Sequence, residues 1–269
     1  MMRRLVAVVL LSVIAAAREG VSLRRKLSPV NVQGGFRQKK EEEAPNVPDL
    51  SPTSVARALG WTATEATALY FGLSWAALVE DRRLQITSFV IIAFGSSAIA
   101  DALLSTTTAA LSAPVRQILL PTKTPDQGWY DSLPKPTWNP PTWLFPVAWL
   151  LVSKPTQVLG LARLGATISM PARIAYVTHL ALGDTWNRVF FGDKNIRLGV
   201  AVIWSFVAVL ATASLLFAQQ DPIAGAFLLP TLAWVTVAAS LNTYIANNLD
   251  SSIISRITKN SRAGIKKSN

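Results

Sequence analysis

The sequence predicts an all-α integral membrane protein, a bundle of five transmembrane helices with a disordered N-terminal targeting segment. Its 269 residues are 51% hydrophobic and 15% charged, with a mean hydropathy of +0.34, whereas soluble domains have about 25% charged residues. Five apolar stretches each come close to the ~20 residues that a helix needs to cross ~30 Å of hydrocarbon. Unbroken runs such as 200–217 lack the period-two alternation of a barrel strand, so helices are the expected spanning elements.

Residues 1–17 have the pattern of a secretory signal peptide. Two arginines precede the apolar run 5–17, which ends in three alanines and is too short to span a bilayer. Residues 18–53 follow as a transit-like, disordered linker, in which seven basic residues oppose a single acid up to residue 40. A signal peptide before a transit-like stretch predicts import into a plastid bounded by extra membranes. The alternative is a secretory signal with a plain linker, which leaves the endoplasmic reticulum or the mitochondrial outer membrane as the address.

Residues 54–82 form a helical pre-segment, which either lies on the membrane or packs against the bundle. The membrane domain is predicted over 83–250 and is followed by a basic C-terminal tail, 251–269. Its five apolar stretches cover residues 84–106, 143–163, 174–192, 197–218 and 223–247.

The net charge of +11 does not indicate a nucleic-acid partner. Residues 1–40 carry +8 and residues 251–269 carry +5, which leaves −2 for the whole body of the chain. Cysteine is absent and His179 is the sole histidine, so the sequence predicts no metal site, no disulfide and no thiol nucleophile. We find no catalytic triad spacing and no carboxylate pair, so we expect no catalytic residues and a protein that is not an enzyme.

The most informative segment is 128–149, where prolines prevent a regular helix and aromatic residues recur. It reads W-Y-x-x-L-x-K-P-x-W-x-P-P-x-W-x-F-P-x-x-W from Trp129 onward, and it resembles the first loop and second helix of the TspO/MBR family. That family comprises the tryptophan-rich sensory proteins and the translocator proteins. Two further blocks agree, namely 180–191 with its W-x-x-x-F-F and 224–242 with its A-W-V-T-x-A-x-x-L-N.

The resemblance implies a five-helix membrane protein that binds porphyrin, haem or related tetrapyrroles, and sterol in animal members, near the first loop. It implies no covalent cofactor, and it also implies that two copies can associate as a homodimer in the lipid membrane. Trp149 and Trp234 match tryptophans linked to porphyrin handling. The other ligand-binding residues that we carry over are Trp129, Lys135, Pro136, Trp138, Pro140, Pro141, Trp143, Trp186, Ala238, Leu241 and Asn242.

Physical chemistry agrees with this expectation, since indole faces can stack on a flat aromatic ligand and Lys135 could meet an acidic edge group. The first hypothesis is therefore transport, buffering or sensing of a tetrapyrrole. The second is light-dependent porphyrin breakdown through the same tryptophans. The third is a sterol or lipid carrier, which is weakened because no Lys or Arg follows Tyr244 before Arg256.

Three positions depart from the family pattern, and they concern the ligand pocket more than the fold. Ser153 and Thr231 stand where tyrosine is usual, and Gly183 stands where asparagine is common. Lys154 and Pro155 should also kink the second helix of the domain.

Overall fold

The computed structural model describes residues 50–104 and 127–266, and this part of the chain is helical without any strand. The predicted signal peptide, nearly all of the predicted linker and the stretch 105–126 lie outside the described residues. The all-α prediction is confirmed.

Eight helices occur in the described ranges, α4 and α5 each containing a π-helical part. Their bounds are α1 Pro52–Ala77, α2 Arg82–Leu104, α3 Gln127–Ser132, α4 Leu144–Thr167, α5 Met170–Asn187 with a π-helical end Arg188–Gly192, α6 Ile196–Ala218, α7 Pro222–Ala226 and α8 Leu229–Lys266.

Five of these helices close a ring, and α1 packs outside it. Around the ring α2 contacts α4, α4 contacts α8, α8 contacts α6, α6 contacts α5, and α5 returns to α2. Helix α1 lies along α5 and α2. The helical pre-segment of the sequence prediction therefore packs against the bundle as a sixth long helix.

Helix α1 runs the full height of the ring. At its start, Arg57 pairs with Asp193 in the α5–α6 turn at 2.7 Å. Beyond its end, the side chain of Arg82 donates to the carbonyl oxygen of Ala162, at the far end of α4. The Ser51 hydroxyl caps the first turn by accepting from the Ser54 N–H.

Helix α4 is irregular where Pro155 was expected to disturb it. Proline has no N–H to donate to the carbonyl four residues earlier, and its ring crowds that carbonyl. The chain widens into a π-helix over Val147–Ser153, and the Lys154 N–H donates to the carbonyl of Trp149, five residues back. Trp149 lies within this distorted part of the helix.

The described residues contain three helices long and apolar enough to cross a membrane: Leu144–Thr167, Ile196–Ala218 and Pro222–Leu249. Helix α8 continues to Lys266, so the first part of the predicted basic tail extends this helix. No proline or glycine interrupts residues 231–263, which explains why the helix does not end at the predicted boundary.

Candidate functional site

A small cavity lies beneath the lid formed by residues 127–143, between that lid, the end of α5 and an inner part of α8. Its free volume is about 10 Å³, room for roughly one water molecule. Aromatic rings form most of its wall. The lining residues are Tyr130, Phe145, Trp186, Phe190, Phe191, Ala238, Leu241 and Asn242.

The rings around the cavity form one continuous cluster. Trp186 stacks on Phe190 with centroids 5.3 Å apart, and the edge of Trp129 in the lid meets Phe190 at 5.6 Å. Phe145 joins the cluster to Trp234 of α8 at 5.3 Å. Such edge and stacked contacts hold flat faces in fixed directions, so a planar ligand would find aromatic surfaces on several sides.

Asn242 is the polar centre of this apolar wall, with only 1% of its surface exposed. Its side-chain oxygen accepts from the Trp186 indole N–H at 3.0 Å, and its amide nitrogen donates to the Ile196 carbonyl at 3.1 Å. One residue thus ties α8 to both α5 and α6. The two bonds set the orientation of the Trp186 ring.

Lys135 holds the lid together from within. Its ammonium group donates to the Tyr130 carbonyl at 2.6 Å and lies 4.5 Å from the Tyr130 ring centre. Burial lowers the pKa of Lys135, while the nearby Asp131 acts in the opposite direction. Burial, with the Asp131 charge as the second cause, raises the pKa of Tyr130 to about 12, and its hydroxyl donates to the Asn139 side chain at 3.2 Å.

The structure brings part of the predicted site together. Trp186, Ala238, Leu241 and Asn242 line the cavity, and Trp129 touches its wall. Among the other lid residues, three are exposed and two are buried in the lid itself. The exposed ones are Trp138, Pro141 and Trp143, and the buried ones are Pro136 and Pro140.

The two tryptophans expected to form the pocket occupy different environments. Trp234 reaches the cavity wall through Phe145, and its buried indole N–H finds no acceptor among the described residues. Trp149 instead lies parallel to Phe206 of α6, with centroids 6.4 Å apart. Trp149 is therefore not a lining residue of the cavity in this closed arrangement.

Sequence reasoning missed four lining residues: Tyr130, Phe145, Phe190 and Phe191. All four lie inside the motif blocks that carried the resemblance. The motif blocks therefore contained the lining residues. Which of their aromatic side chains face the cavity depends on the direction of each ring, which the sequence does not give.

Two of the departures from the family pattern meet in the core. The Gln157 amide donates to the Thr231 hydroxyl at 3.1 Å, and Thr231 in turn lies 3.4 Å from the Ser153 carbonyl. The Gln157 oxygen also lies 3.3 Å from the ring nitrogen Nε2 of His179, and Tyr176 donates to it at the same distance. A buried polar network therefore occupies this region, which explains the packing role of the single histidine.

The third departure, Gly183, makes room for a ring. A Cβ atom at Gly183 would lie 3.0 Å from Cε1 of Phe206, the ring that Trp149 stacks upon. A larger residue there would displace Phe206, so the departure and the position of Trp149 are linked.

Comparisons with known proteins agree with the motif blocks. The family model described as TspO/MBR family matches residues 102–247. The tryptophan-rich sensory protein of Cereibacter sphaeroides is 41% identical over 123 residues, which cover 44% of this chain and 74% of the relative. Protein CrtK of Rhodobacter capsulatus is 37% identical over 120 residues, which cover 42% of this chain and 74% of the relative. The translocator protein of Ovis aries is 33% identical over 126 residues, covering 42% and 70%.

Proposed function

Because the chain belongs to the TspO/MBR family, we propose that it is a multi-pass membrane protein that binds a tetrapyrrole of the porphyrin or haem type for transport, buffering or sensing. We propose binding rather than catalysis. The observation that supports this most is the aromatic cluster around the cavity, with Lys135 at the edge of the lid.

The ligand must enlarge the site to enter it. Pockets for molecules of this size measure roughly 300–1,000 Å³, whereas the free volume here is about 10 Å³. The lid would have to move, and its ring contacts through Trp129 and Tyr130 would have to open. Opening it would expose the rings of Trp186, Phe190 and Phe191. Release of Lys135 from the Tyr130 carbonyl would free its ammonium group to meet an acidic edge group of the ligand.

A fluorescence titration tests this proposal. Protoporphyrin should quench the tryptophan fluorescence of the purified protein saturably. The Kd should rise at least several-fold in the Trp149→Phe/Trp234→Phe double variant. Because Trp234 contacts the cavity wall and Trp149 does not, Trp234→Phe alone should account for more of the change. Trp75→Phe is the control, since Trp75 is 66% exposed on α1. An unchanged Kd in the double variant would contradict the proposal.

Two additions to this titration distinguish the alternative functions. Illumination should bleach bound porphyrin faster than free porphyrin only if the protein promotes light-dependent breakdown. Sterol should displace porphyrin only if the same site serves a sterol carrier. Neither effect is needed for the binding proposal itself.

We also propose that all five ring helices and α1 cross the membrane. Helix α1 has 26 residues, which at 1.5 Å per residue is enough to span the hydrocarbon core. Because the chain has no cysteine, single thiols can report the topology. An impermeant thiol reagent should reach Thr53→Cys and Gly192→Cys from one side of sealed vesicles, and Gln219→Cys from the other. Labelling of Thr53→Cys together with Gln219→Cys would contradict it.

The organelle follows from the N-terminal segment, for which we propose plastid import. Residues 1–45 fused to a fluorescent protein should carry it to that organelle. Fluorescence confined to the endoplasmic reticulum would favour the plain secretory alternative.

A further inference from the structure

Outside the aromatic site, buried charge is concentrated where α1 packs on the ring. Glu65 of α1 is completely buried, and Asp184 of α5 is 8% exposed. Removing a carboxylate from water is strongly unfavourable unless partners compensate for the lost hydration. The contacts of these two acids therefore need an explanation.

Neither carboxylate oxygen of Glu65 accepts a hydrogen bond from the described residues. The nearest cationic atom is Nη1 of Arg188, at 3.5 Å from Oε2. Arg188 follows Asp184 by four residues on α5, so its ion pair with Glu65 joins α5 to α1. Thr62, three residues before Glu65, contacts Thr185, the neighbour of Asp184, so the two carboxyls face each other across the α1–α5 interface. The charge of Asp184 acts on Glu65 there.

Only one oxygen of the Asp184 carboxyl accepts a hydrogen bond from the described residues. The Ser97 hydroxyl of α2 donates to Oδ1, and Oδ2 has no donor among the described residues. Two ionised carboxylates offer acceptors alone, so no hydrogen lies between them unless one acid is protonated. Like charges at such close range cannot both remain ionised without strong compensation.

The other charged groups around the pair come from three directions. Lys154 of α4 interacts electrostatically with both acids, with Asp184 first. Arg188 lies between Glu65 and the Trp61 ring, 5.9 Å from the ring centre. His179, further along α5, faces Gln157 instead. On the side of α6, the small gap beside α1 is lined by Leu198, Val202 and Ser205.

Polar contacts along the α1–α5 interface continue from the acids towards the start of α1. The hydroxyls of Thr62 and Thr185 are 2.8 Å apart and buried, and the Arg57–Asp193 pair closes the interface at its outer end. Among these three contacts of the described residues, only the carboxyl pair has no donor hydrogen unless one of the acids is protonated.

We propose that Glu65 and Asp184 form a proton-binding site, in which one proton shared by the two carboxyls joins helix α1 to the ring. The proton is covalently held by one acid and hydrogen-bonded to the other. Release of this proton leaves two like charges facing each other across the α1–α5 interface, and their repulsion weakens the contact between the two helices. Rising pH therefore favours separation of α1 from the ring.

Infrared spectroscopy of the full-length protein tests whether the proton is there. At neutral pH the wild type should show the carbonyl stretch of a buried carboxylic acid, and the isosteric Glu65→Gln and Asp184→Asn variants should lose it. Glu80→Gln, which removes an exposed acid just beyond α1, should leave it intact. If the wild-type and Glu65→Gln spectra show the same carbonyl region, the proposal is overturned. Both acids would then be ionised and balanced by Arg188 and Lys154.

A thiol introduced into the cysteine-free chain tests the link to helix docking. Ala58→Cys places the thiol on the buried face of α1, where alanine is 5% exposed. Its labelling rate should rise with pH more steeply in the wild-type background than with Glu65→Gln. One released proton sets a limit of about tenfold per pH unit for the ratio of the two rates. A ratio independent of pH would overturn the proposal, because thiol ionisation is common to both proteins.

Discussion

Replacing Asn242 with alanine should destabilise the bundle and loosen the wall of the proposed site. Asn242 makes two hydrogen bonds, to Trp186 and to Ile196, and is 1% exposed. Side-chain hydrogen bonds between membrane helices are worth about 0.6 kcal/mol each on average, while a buried donor left unsatisfied costs about 1–3 kcal/mol. We therefore expect a loss of about 1–4 kcal/mol in the free energy of unfolding.

Reversible denaturation in detergent, followed by helix content, measures this loss. Asn248→Ala is the matched control on the same helix, since Asn248 bonds only to the carbonyl of Tyr244 within α8. The control should change stability by less than about 0.5 kcal/mol. The Asn242→Ala protein should also bind protoporphyrin more weakly, because the Trp186 ring loses its fixed orientation. Equal stabilities for the two variants would refute this account of Asn242.

Three further outcomes follow from the described geometry. Gly183→Ala should cost about 1–3 kcal/mol by crowding a packed ring, whereas Gly60→Ala, with open space around it, should gain up to about 1 kcal/mol in the same unfolding assay. Arg163→Gln should raise the pKa of Asp221, which the Arg163 side chain now lowers. An NMR titration would show this, and the stability from Asp221 is full above its ordinary pKa and lost as pH falls. For Tyr130, stability should decline as pH rises from its ordinary pKa towards about 12, and Tyr130→Phe should remove that slope.

Much of the fold could be predicted from composition and spacing. The apolar stretches around residues 143–163, 197–218 and 223–247 became helices because each can bury its amides only within itself in hydrocarbon. Pro155 correctly marked a distortion in α4. The length of α8 was underestimated. The basic residues after 250 suggested that the helix ends there, but the backbone continues as a helix to Lys266.

The candidate site was predictable as a set of sequence blocks but not as a geometry. Trp186 and Asn242 were found, yet nothing in their spacing shows that one donates to the other across two helices. Trp149 and Trp234 were both expected in the pocket because both match tryptophans linked to porphyrin handling. The π-helix in α4 and the space left by Gly183 place Trp149 against Phe206 instead of the cavity.

By itself the sequence determined the helical class, the membrane character and the family, because hydropathy, length and ordered motifs are properties of the chain read in one dimension. Only the tertiary structure decided that α1 closes against α5 and that Glu65 meets Asp184, since these residues are far apart in sequence. The same holds for the closed state of the aromatic cavity. Such contacts depend on which faces of the helices pack together. The interaction energy of a buried carboxyl pair or of stacked rings arises only after the helices have packed.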